Sequence, residues 1–201
     1  MEPAEQPTSP VVNIEGEKVV LGPRRRDLLP NFLRWINDFD VTRTLALRMR
    51  PMTSEQEAEW YDASNKSQTD TAFTVYERAT MRPIGVTSLD HIDHLNGTAE
   101  FGVMIGEKDC WGKGYGTETA VLMLDYGFTC LGLHNIMLHV HSYNPRAIRA
   151  YMRAGFREAG RIRECHRLGE KFYDVLIMDC LSTEFHGPVL HRLLPEAGDE
   201  P

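Results

Sequence analysis

The chain reads as an α/β protein of the mixed, α+β kind, with about seven strands in a mostly antiparallel sheet and about four flanking helices. Three observations predict this. Apolar residues switch between a period of two, as in Thr98–Ile105, and helix-like spacing, as in Asp27 to Asp38. Helix signals punctuate the chain: Ser54-Glu-Gln-Glu57 fits a capping box, and Asn144-Pro145 opens a helix that Gly155 closes. The stretch CWGKGYGTETA, Cys110 to Ala120, places glycine at three alternate positions between a strand and a helix start.

The elements follow in order. MEPAEQPTSP is polar and rich in proline and lacks the basic start and apolar stretch of a secretory signal, so residues 1–15 are expected to be a disordered tail. Lys18 to Leu21 is a short strand, and Leu28, Leu29, Phe32, Leu33 and Ile36 define a first helix with Pro30 near its start. A second helix begins after Thr53 or Ser54, at the capping box, and runs to about Ala63. Thr71–Tyr76 and Ile84–Leu89, joined by a polar turn holding Arg82-Pro83, form a hairpin. In Thr98–Ile105 one face carries Ala99, Phe101, Val103 and Ile105; the other carries Glu100, Gly102 and Met104. Thr117 to Thr129 is a helix, Asn135–His141 a strand, Pro145–Ala154 a helix, and Phe156–Cys165 with Lys171–Leu181 a closing hairpin. Residues 16–183 are thus one domain, and residues 184–201 a flexible, acidic tail.

Composition excludes several classes. No apolar run approaches the roughly 20 residues that cross a bilayer, and the mean hydropathy is −0.36. A cytoplasmic protein without a membrane contact is expected. A formal charge of −7 disfavours nucleic acid as a partner and suits a cationic one. Arg24-Arg25-Arg26 is too short a cluster to outweigh that balance. The four cysteines have no CxxC pair, so neither a zinc ribbon nor a disulfide framework is expected, and the thiols should be reduced and mostly buried. His91 and His94 lack a third ligand, so no metal is expected.

Gly112, Gly114 and Gly116 suit an anion. Amides at a helix start point outward with the positive end of the helix dipole, and glycine lets a phosphate approach them without meeting a Cβ. The pattern is neither GxxxxGK[ST], since Gly114 follows Lys113, nor the dinucleotide fingerprint. A turn that merely redirects the chain is the other reading.

Together with Asn144-Pro-Arg-Ala-Ile-Arg-Ala-Tyr151-Met-Arg-Ala-Gly155-Phe156, the loop resembles the GNAT superfamily of acetyl-CoA-dependent N-acetyltransferases. Trp111-x-x-Gly114-x-Gly116 matches the family's Gln/Arg-x-x-Gly-x-Gly/Ala, with Trp111 departing at the first position, and WGKGYGTE is similar to the branch of RimJ- and RimL-like alanine acetyltransferases. The resemblance covers about Lys18 to Leu181 and implies a sheet splayed between its fourth and fifth strands, Thr98–Ile105 and Asn135–His141. It implies acetyl-CoA as co-substrate, its pantetheine arm along the strand at Met104 and Ile105. The pyrophosphate would rest on Trp111, Gly112, Lys113, Gly114, Tyr115, Gly116 and Thr117, with Asn144 nearby.

An amine must lose a proton before it attacks a thioester. Glu100, eleven residues before Trp111, matches the spacing of a catalytic glutamate in the family, which implies a general base; an exposed carboxylate in an ion pair is the alternative. His139 and His141 share a strand face and are the other candidate bases. Tyr151 is implied as the acid that protonates the leaving thiolate, or else is a core tyrosine. The family holds its acceptor with the first two helices, here about Leu28–Asn65, where Trp35, Asp38, Asp40 and Trp60 suit an amine. A protein N-terminus, a polyamine, an aminoglycoside and an amino sugar all remain open as acceptors, and a homodimer is left open. A catalytically silent acyl-CoA-binding module is the competing function; Glu100 and Tyr151 favour the enzyme.

Overall fold

A computed structural model describes residues 10–45, 49–187, 189–190 and 192. The strands are β1 (Ile14–Glu15), β2 (Val19–Pro23), β3 (Thr71–Glu77), β4 (Pro83–Asp93), β5 (Thr98–Ile105), β6 (Asn135–His141), β7 (Arg157–Leu168) and β8 (Lys171–Leu181). The helices are α1 (Leu29–Ile36), α2 (Phe39–Thr42), α3 (Ser54–Ser64), α4 (Tyr115–Asp125) and α5 (Pro145–Ala154). One eight-stranded sheet runs β1-β2-β3-β4-β5-β6-β8-β7. Every neighbouring pair is antiparallel except β5 and β6.

That parallel pair positions the site. β5 and β6 register only at Thr98–Asn135, Ala99–Ile136 and Glu100–Met137, and then diverge. The edge of β5 from Phe101 to Ile105 therefore faces a gap instead of a strand, and backbone groups left there need other partners. The β5 alternation holds: Ala99 and Phe101 are buried in the main core, where Phe101 meets Tyr151 of α5. Met104, on the opposite face, packs with Phe32, Trp35 and Tyr61 beneath α1 and α3.

Several expectations need correction. An eighth strand, β1, lies in the stretch expected to be tail, and Ile14 is only 3% exposed; residues 1–9 lie outside the described residues. α3 is capped one residue earlier, by Thr53, which accepts from the amide of Gln56 while the Gln56 side chain reaches back to the amide of Thr53. Thr53-x-x-Gln56 satisfies the same pattern as Ser54-x-x-Glu57, and this register turns Glu57 inward, where it is buried. The first helix is divided: a 3-10 turn, Arg26–Leu28, leads into α1, and Asp38 starts the short α2 by accepting from the amide of Asp40. α4 begins at Tyr115, two residues before the expected start, and continues into a π turn at Tyr126–Cys130.

The expected C-terminal tail also yields. Asp125 is fully buried, and its carboxylate accepts from the amides of Val189 and Leu190, both at 2.8 Å, and from Thr129 Oγ1 at 3.0 Å. Leu190 joins the main core. Two thiols are buried (Cys110, Cys180) and two exposed (Cys130, Cys165), so burial holds for half of them. Among the described residues no helix is long and apolar enough to cross a membrane.

Candidate active site

The gap beside β5 opens into a cavity of about 370 Å³. Met104 and Ile105 line it from the open strand edge, Trp111, Gly112, Gly114, Tyr115, Gly116 and Thr117 from the glycine loop, and Asn144 and Tyr151 from α5 and its cap. Residues 40 positions apart in sequence thus converge through the divergence of two strands.

The loop has the geometry of an anion cradle. Gly112 and Gly114 have φ of +79° and +90°, values that side chains with a Cβ rarely adopt. A Cβ on Gly112 would meet nothing within 4 Å, so the space above it is open. Gly114 is the N-cap of α4 and no side chain caps that helix, which leaves its first-turn amides to face the cavity. Trp111 explains its own departure from the Gln/Arg pattern. Its Nε1 donates to the carbonyl of Ile105 at 2.7 Å, tying the loop to the end of β5. Its ring also carries the guanidinium of Arg146, 4.2 Å from the centroid.

Not every loop residue reaches inward. Lys113 does not line the cavity, and its carbonyl accepts from Lys18 Nζ at 3.4 Å. The Tyr115 hydroxyl donates to Glu77 at 2.6 Å, and that bond to a carboxylate pushes its pKa up to about 12. Asn144 has two roles at once: its Oδ1 caps α5 by accepting from Ala147, at 3.2 Å, and it also lines the cavity.

Sequence reading missed a basic wall. Arg146, Arg149 and Arg153 of α5 all line the cavity, and burial, with Arg43 nearby, lowers the pKa of Arg146. The signal was present in their spacing, since residues three and four apart share a helix face. A pyrophosphate at the α4 amides and further phosphate along α5 would meet this positive lining.

Tyr151 packs edge-on against Phe101 and Phe156, each with centroids 6.0 Å away. Burial pushes its pKa up to about 12, so the phenol holds its proton through the neutral range. Glu100 projects to the other face of β5, is about one-third exposed, and does not line the cavity. It bonds Nδ1 of His139 at 2.7 Å, because the Glu100–Met137 register places His139 one pleat further along β6. His141 shares that face but is buried, and burial lowers its pKa.

The four acceptor candidates do not gather around the cavity. Trp35 is 1% exposed, its Nε1 donates to Glu107 at 2.9 Å, and its ring fills the space where Gly106 lacks a Cβ. It anchors α1 to the sheet and has no surface for a ligand. Asp38 and Asp40 are both taken by Lys108 Nζ, at 2.7 and 3.2 Å. Trp60 is exposed and lies against Arg24, 5.2 Å from the guanidinium carbon. The part of Leu28–Asn65 that reaches the cavity is instead Val41, Thr44 and Leu45. His91 and His94 are exposed, and no cluster of three metal-binding side chains occurs among the described residues.

Known proteins resemble this chain in sequence and in fold. Spermidine N(1)-acetyltransferase of Vibrio cholerae is 35% identical over 111 residues, 55% of this chain and 64% of that protein. An uncharacterized N-acetyltransferase, p20, of Bacillus licheniformis is 31% identical over 57% of this chain and 64% of its own length. The chain therefore spans just under two thirds of these relatives. Human alpha/beta-tubulin-N-acetyltransferase 9 is 31% identical over 71% of this chain and 74% of its own. The crystal structure of the Vibrio cholerae spermidine N-acetyltransferase in complex with CoA and spermine superposes with a TM-score of 0.78 at 26% identity, covering 84% of this chain and 98% of that one. Residues 18–157 match the acetyltransferase (GNAT) domain, and with the splayed sheet and its glycine loop this places the chain in the GNAT family.

Proposed function

We propose that the protein is an acetyl-CoA-dependent N-acetyltransferase acting on a primary amine. The observation that carries the reading is the joining, in one cavity, of an unpaired β5 edge to an uncapped helix N-terminus. An amide-bearing arm fits the first by strand addition, and a pyrophosphate fits the second. Acetyl-CoA, when bound, supplies the activated acetyl thioester.

The chain's residues divide the remaining work. Met104 and Ile105 orient the arm along β5, and the amides of Gly112 to Thr117, with Arg146, Arg149 and Arg153, hold negative charge. Tyr151, protonated at working pH, donates its proton to the departing thiolate. Glu100, on the acceptor face with His139 bound to it, takes the ammonium proton through water. Val41, Thr44 and Leu45 face the acceptor.

The WGKGYGTE loop supports a place in the RimJ/RimL-like branch, while the relatives named for spermidine and for tubulin support a polyamine and a protein as acceptors. The charge of −7 suits either cationic amine. We place the enzyme in the cytoplasm and leave a homodimer open. Thiol release from acetyl-CoA, measured with spermidine, peptides bearing free N-termini, an aminoglycoside and an amino sugar, tests the proposal. Release with at least one amine supports it; acetyl-CoA binding without release from any would indicate a silent binding module.

A further inference from the structure

The corner between β6 and α5, residues 141–144, carries more hydrogen bonds than a helix start needs. Tyr143 Oη donates to the carbonyl of Arg43 at 2.6 Å, and Nε2 of His141 lies 3.1 Å from the carbonyl of Leu45. Thr44, between those two carbonyls, and Leu45 itself line the cavity. The next corner residue, Asn144, lines it from the opposite side as the cap of α5. One short turn of chain therefore ties the cofactor side of the cavity to its acceptor side.

The proton positions follow from the partners. A carbonyl only accepts, so His141 carries its hydrogen on Nε2, and Nδ1, buried with no partner among the described residues, bears the lone pair. Tyr143 spends its single hydrogen on Arg43, so its oxygen accepts from Nε2 of His166, 3.2 Å away on β7. The rings lie together: His141 stacks on Tyr143 with centroids 5.0 Å apart and meets His166 at 3.9 Å, and Tyr173 of β8 closes edge-on against Tyr143 at 4.8 Å.

We propose that His141, Tyr143 and His166 form a latch that sets the Val41–Leu45 wall of the cavity, and so are positioning residues for the amine acceptor. This rests on the acetyltransferase reading of the cavity. The latch also explains His141 better than a role as base, since a base must present its lone pair to the acceptor, and here that lone pair is buried.

The latch is sensitive to protons. Burial, followed in sense by His166, lowers the pKa of His141 below the ordinary 6.5, with the Leu45 carbonyl opposing. The titratable groups around it are His166 of β7, Tyr173 of β8, Tyr143 of the corner and Arg43 of the loop, none of them a carboxylate, with the Glu100–His139 pair one pleat back along β6. A second proton would sit on Nδ1 without an acceptor and beside another imidazole. With the folded value depressed, the neutral latch is complete at 6.5 and above and is lost as pH falls through the depressed value, below 6.5.

The test compares hydrogen exchange of the segment 41–45 with substrate constants in wild type, Tyr143→Phe and His141→Gln. Tyr143→Phe removes the bond to Arg43 and the one from His166, so exchange in that segment should speed roughly 3- to 10-fold and the KM for amine should rise by a similar factor. The Kd for acetyl-CoA should stay within about twofold. His141→Gln keeps a donor for Leu45 and cannot titrate, so its amine KM should lack the rise that wild type shows as pH falls through the depressed His141 value, below 6.5. Unchanged exchange in a folded Tyr143→Phe protein, or equal losses toward amine and acetyl-CoA, would overturn the latch. Wild type that releases no thiol with any amine overturns the acetyltransferase reading alone, and the exchange comparison still decides the latch.

Discussion

Oε1 of Glu100 lies 2.7 Å from Nδ1 of His139, on the face of the sheet opposite Tyr151, where β5 and β6 are still paired. Two residues that sequence reading set against each other as candidate bases are therefore one hydrogen-bonded pair. Replacing either should disturb the proton-accepting step proposed for Glu100.

Glu100→Gln keeps the shape and removes the carboxylate. It should lower kcat/KM on the order of 100-fold near pH 7, where the acceptor arrives mostly as ammonium, and the deficit should shrink as pH rises and free amine becomes available. Adding His139→Gln to it should cost little more, because partners in one hydrogen-bonded unit are not additive. A pH–rate profile of the two single variants and the double variant, at saturating acetyl-CoA, checks this. Coincident wild-type and Glu100→Gln profiles at neutral pH would remove Glu100 from the chemistry.

Tyr151→Phe keeps both aromatic contacts and deletes the hydroxyl. Turnover should fall about tenfold or more without being abolished, since a thiol of ordinary pKa near 8.5 leaves tolerably as the thiolate. Acetyl-CoA affinity should hold. With the phenol pushed up to about 12, no step in the pH–rate profile below about pH 10 should belong to Tyr151. A fully active variant would return the residue to the core it shares with Phe101 and Phe156.

Gly114→Val should weaken acetyl-CoA and free CoA alike, by roughly tenfold or more, because the lesion lies at the phosphate end and not at the acetyl. The backbone there has φ of +90°, and a Cβ would come within 3.2 Å of Lys18 Nζ. Isothermal titration with both ligands on a variant of native circular dichroism tests it. Unchanged affinity would detach the loop from the cofactor.

Asp125→Ala should destabilise the fold by about 3 kcal/mol, since two amides and a hydroxyl lose their buried acceptor together. Urea unfolding gives the number. Protection of the amides of Val189 and Leu190 should be lost first, which separates release of the C-terminal segment from damage to α4.

The elements themselves were legible in the sequence. β5, β6, α5 and β8 begin and end where alternation, helical spacing, Asn144-Pro145 and Gly155 placed them, because period and capping act over a few residues. Local signals fail where two registers satisfy one rule, as at Thr53 and Ser54, or where a distant carboxylate such as Asp125 recruits a stretch with no period of its own, as at Leu190. The place of the loop glycines before a helix, and of Tyr151 two turns from the cap of α5, was also legible, since both are facts of one segment.

The proposed acceptor side was decided by tertiary structure alone. Asp38, Asp40, Trp35 and Trp60 have the right chemistry for an amine, yet Lys108 occupies the first two, Glu107 and Gly106 hold the third, and Arg24 covers the fourth. The packing that brings Val41, Thr44, Leu45, Arg146 and Tyr151 to one cavity follows a pairing of strands that no single segment records. Charge and polarity state what a residue is able to bind. Which partner reaches it first depends on long-range packing, and that is settled only when the sheet forms.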